Sequence, residues 1–470
     1  MPPARVPLPV AAARRATPPN ERRASVPSGA SARMIGVRVT QLPAGPDLRA
    51  LQRSDRERFP CLLESVATAP RTGRWDLLFV HAGRRAALSA AEPLPDWVAE
   101  ALTRPLPAVA TELPFVGGVV LLATYELAAR FEPTLRLPAD ATGLPALTVL
   151  EAPAAVLVDR LEDRALLVSA AGHDALHDEV LARIAALNTA PIDAAALPAY
   201  ALSEDDPAAF LAGVEAIREW IAAGDVFQVN LSRSWTARAA SAFDPLDLYV
   251  ALARANPAPF AASLCLPGAT VLSSSPERLV SVRGDVVETR PIAGTRPRGG
   301  DDAARIAELI GDPKERAEHI MLIDLERNDL GRVCAAGSVE VDELYAVESY
   351  THVHHIVSNV RGRLKPGVSA LDVLAAVFPG GTITGCPKVR CMEIIAALEQ
   401  VGRGAYTGAM GYVGPAGMDL NILIRTLTVV GDTVHLRAGA GIVADSVPER
   451  ELAETRAKAR GLLRALGQAG

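Results

Sequence analysis

Glu451, Glu454 and Lys458 recur at i, i+3 and i+7 in the run Arg437–Lys458, a spacing that sets two carboxylates and one ammonium on a single helix face. Two acids beside one base suit a metal ion plus an anion. Upstream the run reads as strand, tight glycine turn and helix: Val434 to Arg437 alternate, Gly439 and Gly441 permit close backbone approach, Asp445 or Ser446 can cap, and Pro448 suits a first helical turn. Leu452, Leu462, Leu463 and Leu466 are left to face a core. A second pair, Glu315 and Glu318, repeats the three-residue spacing beside Lys314 and His319. Together the two pairs offer the oxygen ligands that a hard divalent ion such as magnesium prefers, water completing the octahedron. Two solvated helix faces are the plain alternative, and spacing alone favours it.

Strands and helices must carry these side chains to one place. Trp75 to His81, Gly117 to Leu122, Ala154 to Asp159 and Ala165 to Ser169 are apolar or β-branched runs broken by Pro and Gly, and read as strands. A polar, Pro-containing joint at 195–206 closes that region. A helix follows, capped by Asp206 with Pro207 in its first turn and Phe210, Val214, Ile217 and Ile221 at helical spacing. Then come strands at Val226–Ser232, Pro259–Leu266 and Ala269–Ser273, an alternating run from Val280 to Val287, and a helical stretch from Asp301 to Asp324 broken at Gly311-Asp312-Pro313. The division expected is a disordered leader over 1–35, an N-terminal region over 36–202 and a catalytic region over 203–467. The leader is rich in Arg, Pro, Ala and Ser with Glu21 its sole acid; an organellar transit peptide and an over-extended reading frame whose true start is Met34 account for it equally.

The bulk properties narrow the function classes. The 470 residues are 49% hydrophobic with a formal charge of -6, which suits a large globular protein and, without a basic stripe, argues against nucleic acid as the main partner. The most apolar stretch, Phe115 to Tyr125, is too short for a membrane span. Cys61, Cys265, Cys334, Cys386 and Cys391 are odd in number and form no CxxC, so neither a disulfide scaffold nor a zinc site is indicated, and a reducing cytoplasm is the expected compartment.

Longer motifs carry more. The Ile-Asp-Leu-Glu-Arg-Asn-Asp-Leu-Gly-Arg run within 319–333, the segment from Tyr350 to Ser358, Phe378-Pro-Gly-Gly-Thr-Ile-Thr-Gly-Cys-Pro-Lys388, Ile422-Leu-Ile-Arg-Thr426 and the Gly439–Lys458 stretch together resemble the chorismate-utilising enzymes over about residues 205–465. A weaker similarity reaches back to Phe59–Ser65. The resemblance implies an α+β fold with two stacked antiparallel sheets flanked by helices, and a magnesium-dependent cleft. It implies Glu318 and Glu454 as magnesium ligands, with Glu315 and Glu451 acting directly or through water. Arg425 and Lys458 would hold substrate carboxylates, Tyr412 would add a hydroxyl, Gly439 and Gly441 would offer backbone N–H groups, and Thr384 would line the site. Glu277 of Ser-Pro-Glu-Arg takes the place of the acid that assists departure of the ring hydroxyl, His355 that of the histidine beside the ring, and Thr295 of Pro-Ile-Ala-Gly-Thr joins them as a catalytic candidate. His352 and His354 are left structural.

Branch-specific residues narrow the activity. Members that add water place a lysine base where this chain has Gln228, so ammonia is the expected nucleophile. Asn230, Gly73–Leu78, Thr124-Tyr-Glu-Leu-Ala128 and Glu132–Pro138 resemble the branch that makes aminodeoxychorismate for folate. Ala293 resembles the branch that makes anthranilate, because the folate enzymes often carry lysine there as a nucleophile. The folate reading is preferred and the anthranilate reading is kept. Leu63, Glu64 and Ser65 lie in a stretch similar to the tryptophan site of anthranilate synthases, with an ordinary amphipathic helix end as the other reading. No glutaminase Cys-His-Glu triad is present, so a separate glutamine amidotransferase subunit is the expected partner and chorismate the substrate. A non-catalytic binding homologue would have lost carboxylates or anion-binding residues; Glu277, Glu318, Glu454, Arg425 and Lys458 are all retained.

Overall fold

The computed structural model describes residues 32–34, 36–43, 45–67, 72–106, 109–187, 196–350 and 353–468, with backbone alone at 32–34, 293, 295, 297, 314 and 353. Every strand pairing among the described residues is antiparallel, and the strands form two sheets with helices outside them. The first runs in the order Ala32–Met34, Val37–Leu42, Arg164–Ala170, Ala154–Asp159, Trp75–Val80, Cys61–Glu64, Phe260–Leu266, Ala269–Ser275, Thr426–Val430, Thr433–Ile442, Gln228–Ala239 and Tyr200–Glu204. The second runs Ile292–Pro297, Val353–Arg363, Val286–Thr289, Arg278–Arg283, Gly417–Ile422, Ala409–Gly414, Gly118–Ala123, Leu147–Ala152 and Arg85–Leu88, with Glu340–Ser349 also on Val353–Arg363. The α+β sandwich expected from the sequence is the observed fold.

Apolar side chains from both sheets meet between them, among them Leu77, Phe79, Leu264, Val271, Val120, Leu122 and Met410. Each outer face carries helices. Leu462 of Pro448–Ala465 and Leu466 at its C-cap join Leu248 and Leu252 of Pro245–Ala255 on the first sheet, while Val373 and Leu374 of Ala370–Val377 join Val280 and Leu420 on the second. Burial of such faces supplies the main driving force, at about 25 cal/mol per Å² of apolar surface. The helix Pro207–Ala223 starts as its sequence requires, Asp206 accepting from the Ala208 N–H.

Several expectations change. The boundary near residue 203 falls inside Tyr200–Glu204, and both sheets draw strands from either side of it, because antiparallel pairing joins segments far apart in the chain. Residues 1–31 and 35 of the leader lie outside the described residues, and Ala32–Met34 pair with Val37–Val39. Val280–Val287 is a hairpin turning at Gly284. Leu62–Glu64 is strand, not a helix end, since it pairs with both Trp75–Val80 and Phe260–Leu266. Gly439 and Gly441 sit inside Thr433–Ile442 with no turn there. The helix after them is capped by Val447 through its backbone, and Ser446 Oγ turns back to accept the Val443 N–H. No helix among the described residues is long and apolar enough to cross a membrane.

Candidate active site

Strand alternation builds the floor. Along Thr433–Ile442, Leu436, Ala438, Ala440 and Ile442 face cores, which leaves Arg437, Gly439 and Gly441 on the other face. Opposite them in register stand Ser234, Ser232 and Asn230. A methyl group at Gly439 would come 2.7 Å from Asn230 Oδ1 and 2.8 Å from the Tyr406 hydroxyl, and one at Gly441 would come 2.6 Å from Gln228 Nε2. Only glycine lets those polar groups approach the strand. Thr384, fully buried, closes one side: its carbonyl accepts the Asn230 N–H at 2.9 Å and its hydroxyl donates to the Gly380 carbonyl at 2.8 Å.

The cations arrive from two further elements. Arg425 follows Gly417–Ile422 with φ 53, and its Nη1 donates to the Lys458 carbonyl at 2.5 Å. Lys458 Nζ donates to the Gly439 carbonyl at 3.0 Å and pairs with Glu454 at 2.6 Å. Burial holds the Arg425 pKa below its usual value, with Tyr406 and Glu454 nearby opposing that shift. An enclosed guanidinium so poorly compensated is ready to take an anion.

Glu277, in the bend between Ala269–Ser275 and Arg278–Arg283, is 5% exposed. Burial raises its carboxyl to about 7, against the opposing pull of a 2.8 Å hydrogen bond from Thr382 Oγ1, the Ile292 N–H and the Lys458 charge. Burial thus favours its protonated form relative to an ordinary carboxyl. His355 shifts the other way: burial and the Arg425 guanidinium push its imidazole down to about 4, so it is neutral. Its ring packs edge-on against Tyr350 at 5.9 Å. Thr295 is opposite His355 in register, with a bulge at Gly294. His354 bonds Ser349 Oγ at 2.7 Å, and His352 lies outside the described residues.

The carboxylate pairs are placed but not gathered. Glu315 ion-pairs with Arg296 at 3.0 Å and reaches Gly294, where a methyl group would meet its Oε2 at 2.9 Å; φ is 65 there, so glycine serves twice over. Glu454 pairs with Lys458 one turn along its own helix. No group of three or more His, Cys, Asp and Glu side chains is assembled for a metal ion among the described residues. The donor chemistry, all glutamate oxygen, suits a hard divalent cation. To ligate one, Glu315 would exchange Arg296 and Glu454 would exchange Lys458 for the metal.

One sequence assignment is corrected. Tyr412 lies on Ala409–Gly414, its hydroxyl accepts from Arg283 at 2.8 Å, and its ring packs on Phe79 and Phe115. It faces a separate cavity of about 280 Å³ between the sheets, shared with Leu63, Glu64 and Ser65. The tyrosine beside Gly439 and Arg425 is Tyr406. Glu326 was also missed: it is buried, and burial together with Asp329 raises it to about 8 within the field of Glu277. Its position two helical turns after Glu318 was the available signal.

The sequence profile of chorismate binding enzymes matches residues 66–464. The chain belongs to this chorismate-binding family. That match extends well ahead of residue 205, as the interwoven sheets require. Within the family, the chain is 51% identical over 261 residues to aminodeoxychorismate synthase component 1 of Bacillus subtilis, covering 55% of each. It is 44% identical over 379 residues to anthranilate synthase component 1 of Streptomyces coelicolor, covering 76% of this chain and 74% of that one. The chain thus spans about half the length of the first of these relatives. Anthranilate synthase component I of Streptococcus pneumoniae superposes with a TM-score of 0.75 at 31% identity, over 84% of this chain and 93% of that one.

Proposed function

We propose that this protein aminates chorismate at C4, giving 4-amino-4-deoxychorismate and water, with ammonia delivered by a glutamine amidotransferase subunit. The observation that carries the reading is the convergence of the buried Glu277 carboxyl, raised to about 7, with Arg425 and Lys458 beside Gly439. Arg425 and Lys458 bind the substrate carboxylates. Glu277 gives its proton to the departing C4 hydroxyl, which leaves as water, and the incoming ammonia supplies the nitrogen and a proton to restore the carboxyl. Neutral His355 lines the ring without adding charge. Gln228 in place of an amine leaves no base to activate water, which favours ammonia over hydroxide. Magnesium, held by Glu315, Glu318, Glu451 and Glu454, would neutralise a substrate carboxylate when bound.

Ala293 supports a second reading, because an alanine cannot form the covalent adduct that a lysine can. In that reading the products are anthranilate, pyruvate and water. Incubation with chorismate, magnesium and ammonium salts, followed by product identification by mass, separates the two. Aminodeoxychorismate without pyruvate supports the first; anthranilate with stoichiometric pyruvate replaces it.

A further inference from the structure

Behind the Tyr406 wall lies a charged group to which the reaction above assigns no part. Arg403, 3% exposed, donates to Glu399 through Nε at 3.1 Å and Nη2 at 2.6 Å, to the Asn230 carbonyl through Nη2 at 2.7 Å, and to the Ile383 carbonyl through Nη1 at 3.1 Å. Its guanidinium also sits over the rings of Tyr125 at 5.0 Å and Tyr406 at 5.6 Å. Glu399 completes its own shell with the Ser232 N–H and hydroxyl, each at 2.9 Å, and Arg437 Nη2 at 2.7 Å. The Arg403 backbone is held from the N-terminal half of the chain. Glu126 Oε1 accepts the Arg403 and Gly404 N–H groups at 2.7 and 3.2 Å, and the Tyr125 N–H donates to the Gly404 carbonyl at 2.9 Å. This gives the Thr124-Tyr-Glu-Leu-Ala128 motif a physical task.

We infer that Arg403, seated on Glu399 and Glu126, is a positioning residue that fixes Tyr406, Asn230 and the Ile383-Thr384 turn against Gly439 and so sets the affinity of the pocket for its ring substrate. The inference rests on the chorismate reading for the identity of that substrate. Arg403 acts through its neighbours: its donors are spent on protein acceptors, and the groups it holds form the wall. A planar fork is needed, since one guanidinium reaches two carbonyls and a carboxylate while stacking on two rings; a lysine ammonium could keep Glu399 but not this geometry.

The test compares Arg403→Lys, Tyr406→Phe and the double variant in chorismate turnover with ammonium, together with Glu126→Gln. Arg403→Lys is expected to lower kcat/KM about tenfold or more, chiefly through KM, because misplacement of a wall by a fraction of an ångström is costly. The double variant is expected to be no worse than the weaker single one, since both act on one wall. Wild-type KM in Arg403→Lys, or losses that multiply in the double variant, overturns the inference. If Arg403→Lys does not fold, Glu126→Gln replaces it, with a KM increase of about threefold expected for loss of one charged acceptor; an unchanged KM overturns the inference. Failure of the chorismate reading shows separately, as a wild-type chain that consumes no chorismate. Amide hydrogen exchange then decides: Arg403→Lys, or Glu126→Gln in its place, should speed exchange in 383–384 and 406–408 about tenfold and leave Thr433–Ile442 unchanged. Equal exchange in all these segments refutes the positioning role.

Discussion

Replacing Glu277 by glutamine tests the proposed acid through two independent quantities. The first is thermodynamic. Burial raises the Glu277 carboxyl from 4.5 to about 7 in the folded chain. Between those values the folded state holds a proton that the unfolded chain has released, so wild-type stability falls as pH rises through this window and levels off above about 7. A shift of this size corresponds to about 3 kcal/mol. Glutamine does not titrate, so Glu277→Gln should gain on the wild type by up to about 3 kcal/mol on going from pH 4.5 to pH 8, read from urea unfolding midpoints at constant m-value. The second quantity is kinetic. Without its proton donor the variant should lose about 100- to 10,000-fold in kcat, while the wild-type rate falls tenfold per pH unit above about 7. Parallel stability profiles would mean that Glu277 is not enclosed as described. A variant keeping wild-type kcat would remove the general-acid role even if the stability profile behaved.

Three other outcomes follow from the geometry. Gly439→Ala should lower kcat/KM about 100-fold, because the added methyl meets Asn230 Oδ1 at 2.7 Å and the Tyr406 hydroxyl at 2.8 Å; wild-type kinetics would place the substrate elsewhere. Tyr412→Phe should leave the chorismate KM within about twofold but cost about 1–3 kcal/mol in unfolding free energy, since it strips Arg283 of its 2.8 Å acceptor; a large KM effect would restore Tyr412 to the substrate wall. Removing magnesium with EDTA should abolish turnover reversibly, and Glu318→Gln should raise the magnesium concentration needed for half-maximal rate; turnover indifferent to EDTA would remove the metal from the mechanism.

Which parts of this arrangement were legible in the sequence follows from how local each signal is. The helix Pro207–Ala223 and the strand Ala154–Asp159 were readable because cap, proline and apolar period all lie within one segment. The joint near residue 203 also looks like a domain boundary locally. It is not a break between separate sheets, because strands from before it pair with strands far beyond it in both sheets, Cys61–Glu64 with Phe260–Leu266 and Gly118–Ala123 with Ala409–Gly414, and composition carries no record of pairing. Cys61–Glu64 shows the same limit: four residues cannot display a period, and pairing on both edges decides for strand.

The candidate site divides along the same line. Motif context singled out Glu277, His355, Arg425 and Lys458, and these do share one neighbourhood: the Lys458 charge reaches Glu277, the Arg425 charge reaches His355, and Arg425 Nη1 donates to the Lys458 carbonyl. The glutamate pairs are harder, because i, i+3 spacing sets a helix face and says nothing about what that face meets. Here Glu315 meets Arg296 from the strand Ile292–Pro297, while Glu454 is taken by Lys458 on its own helix. The two tyrosines are the sharpest case, standing six positions apart within one short run. Tyr412 pairs in register with Val120 and points into the layer between the sheets, among Phe79 and Phe115. Tyr406 precedes that strand in a loop that Arg403 and Glu126 hold against Asn230 and Gly439. Residue type is identical and local surroundings are nearly so. What separates the two is a strand register and the hold of Glu126 on the Arg403–Gly404 backbone, both of which depend on segments more than 100 residues away.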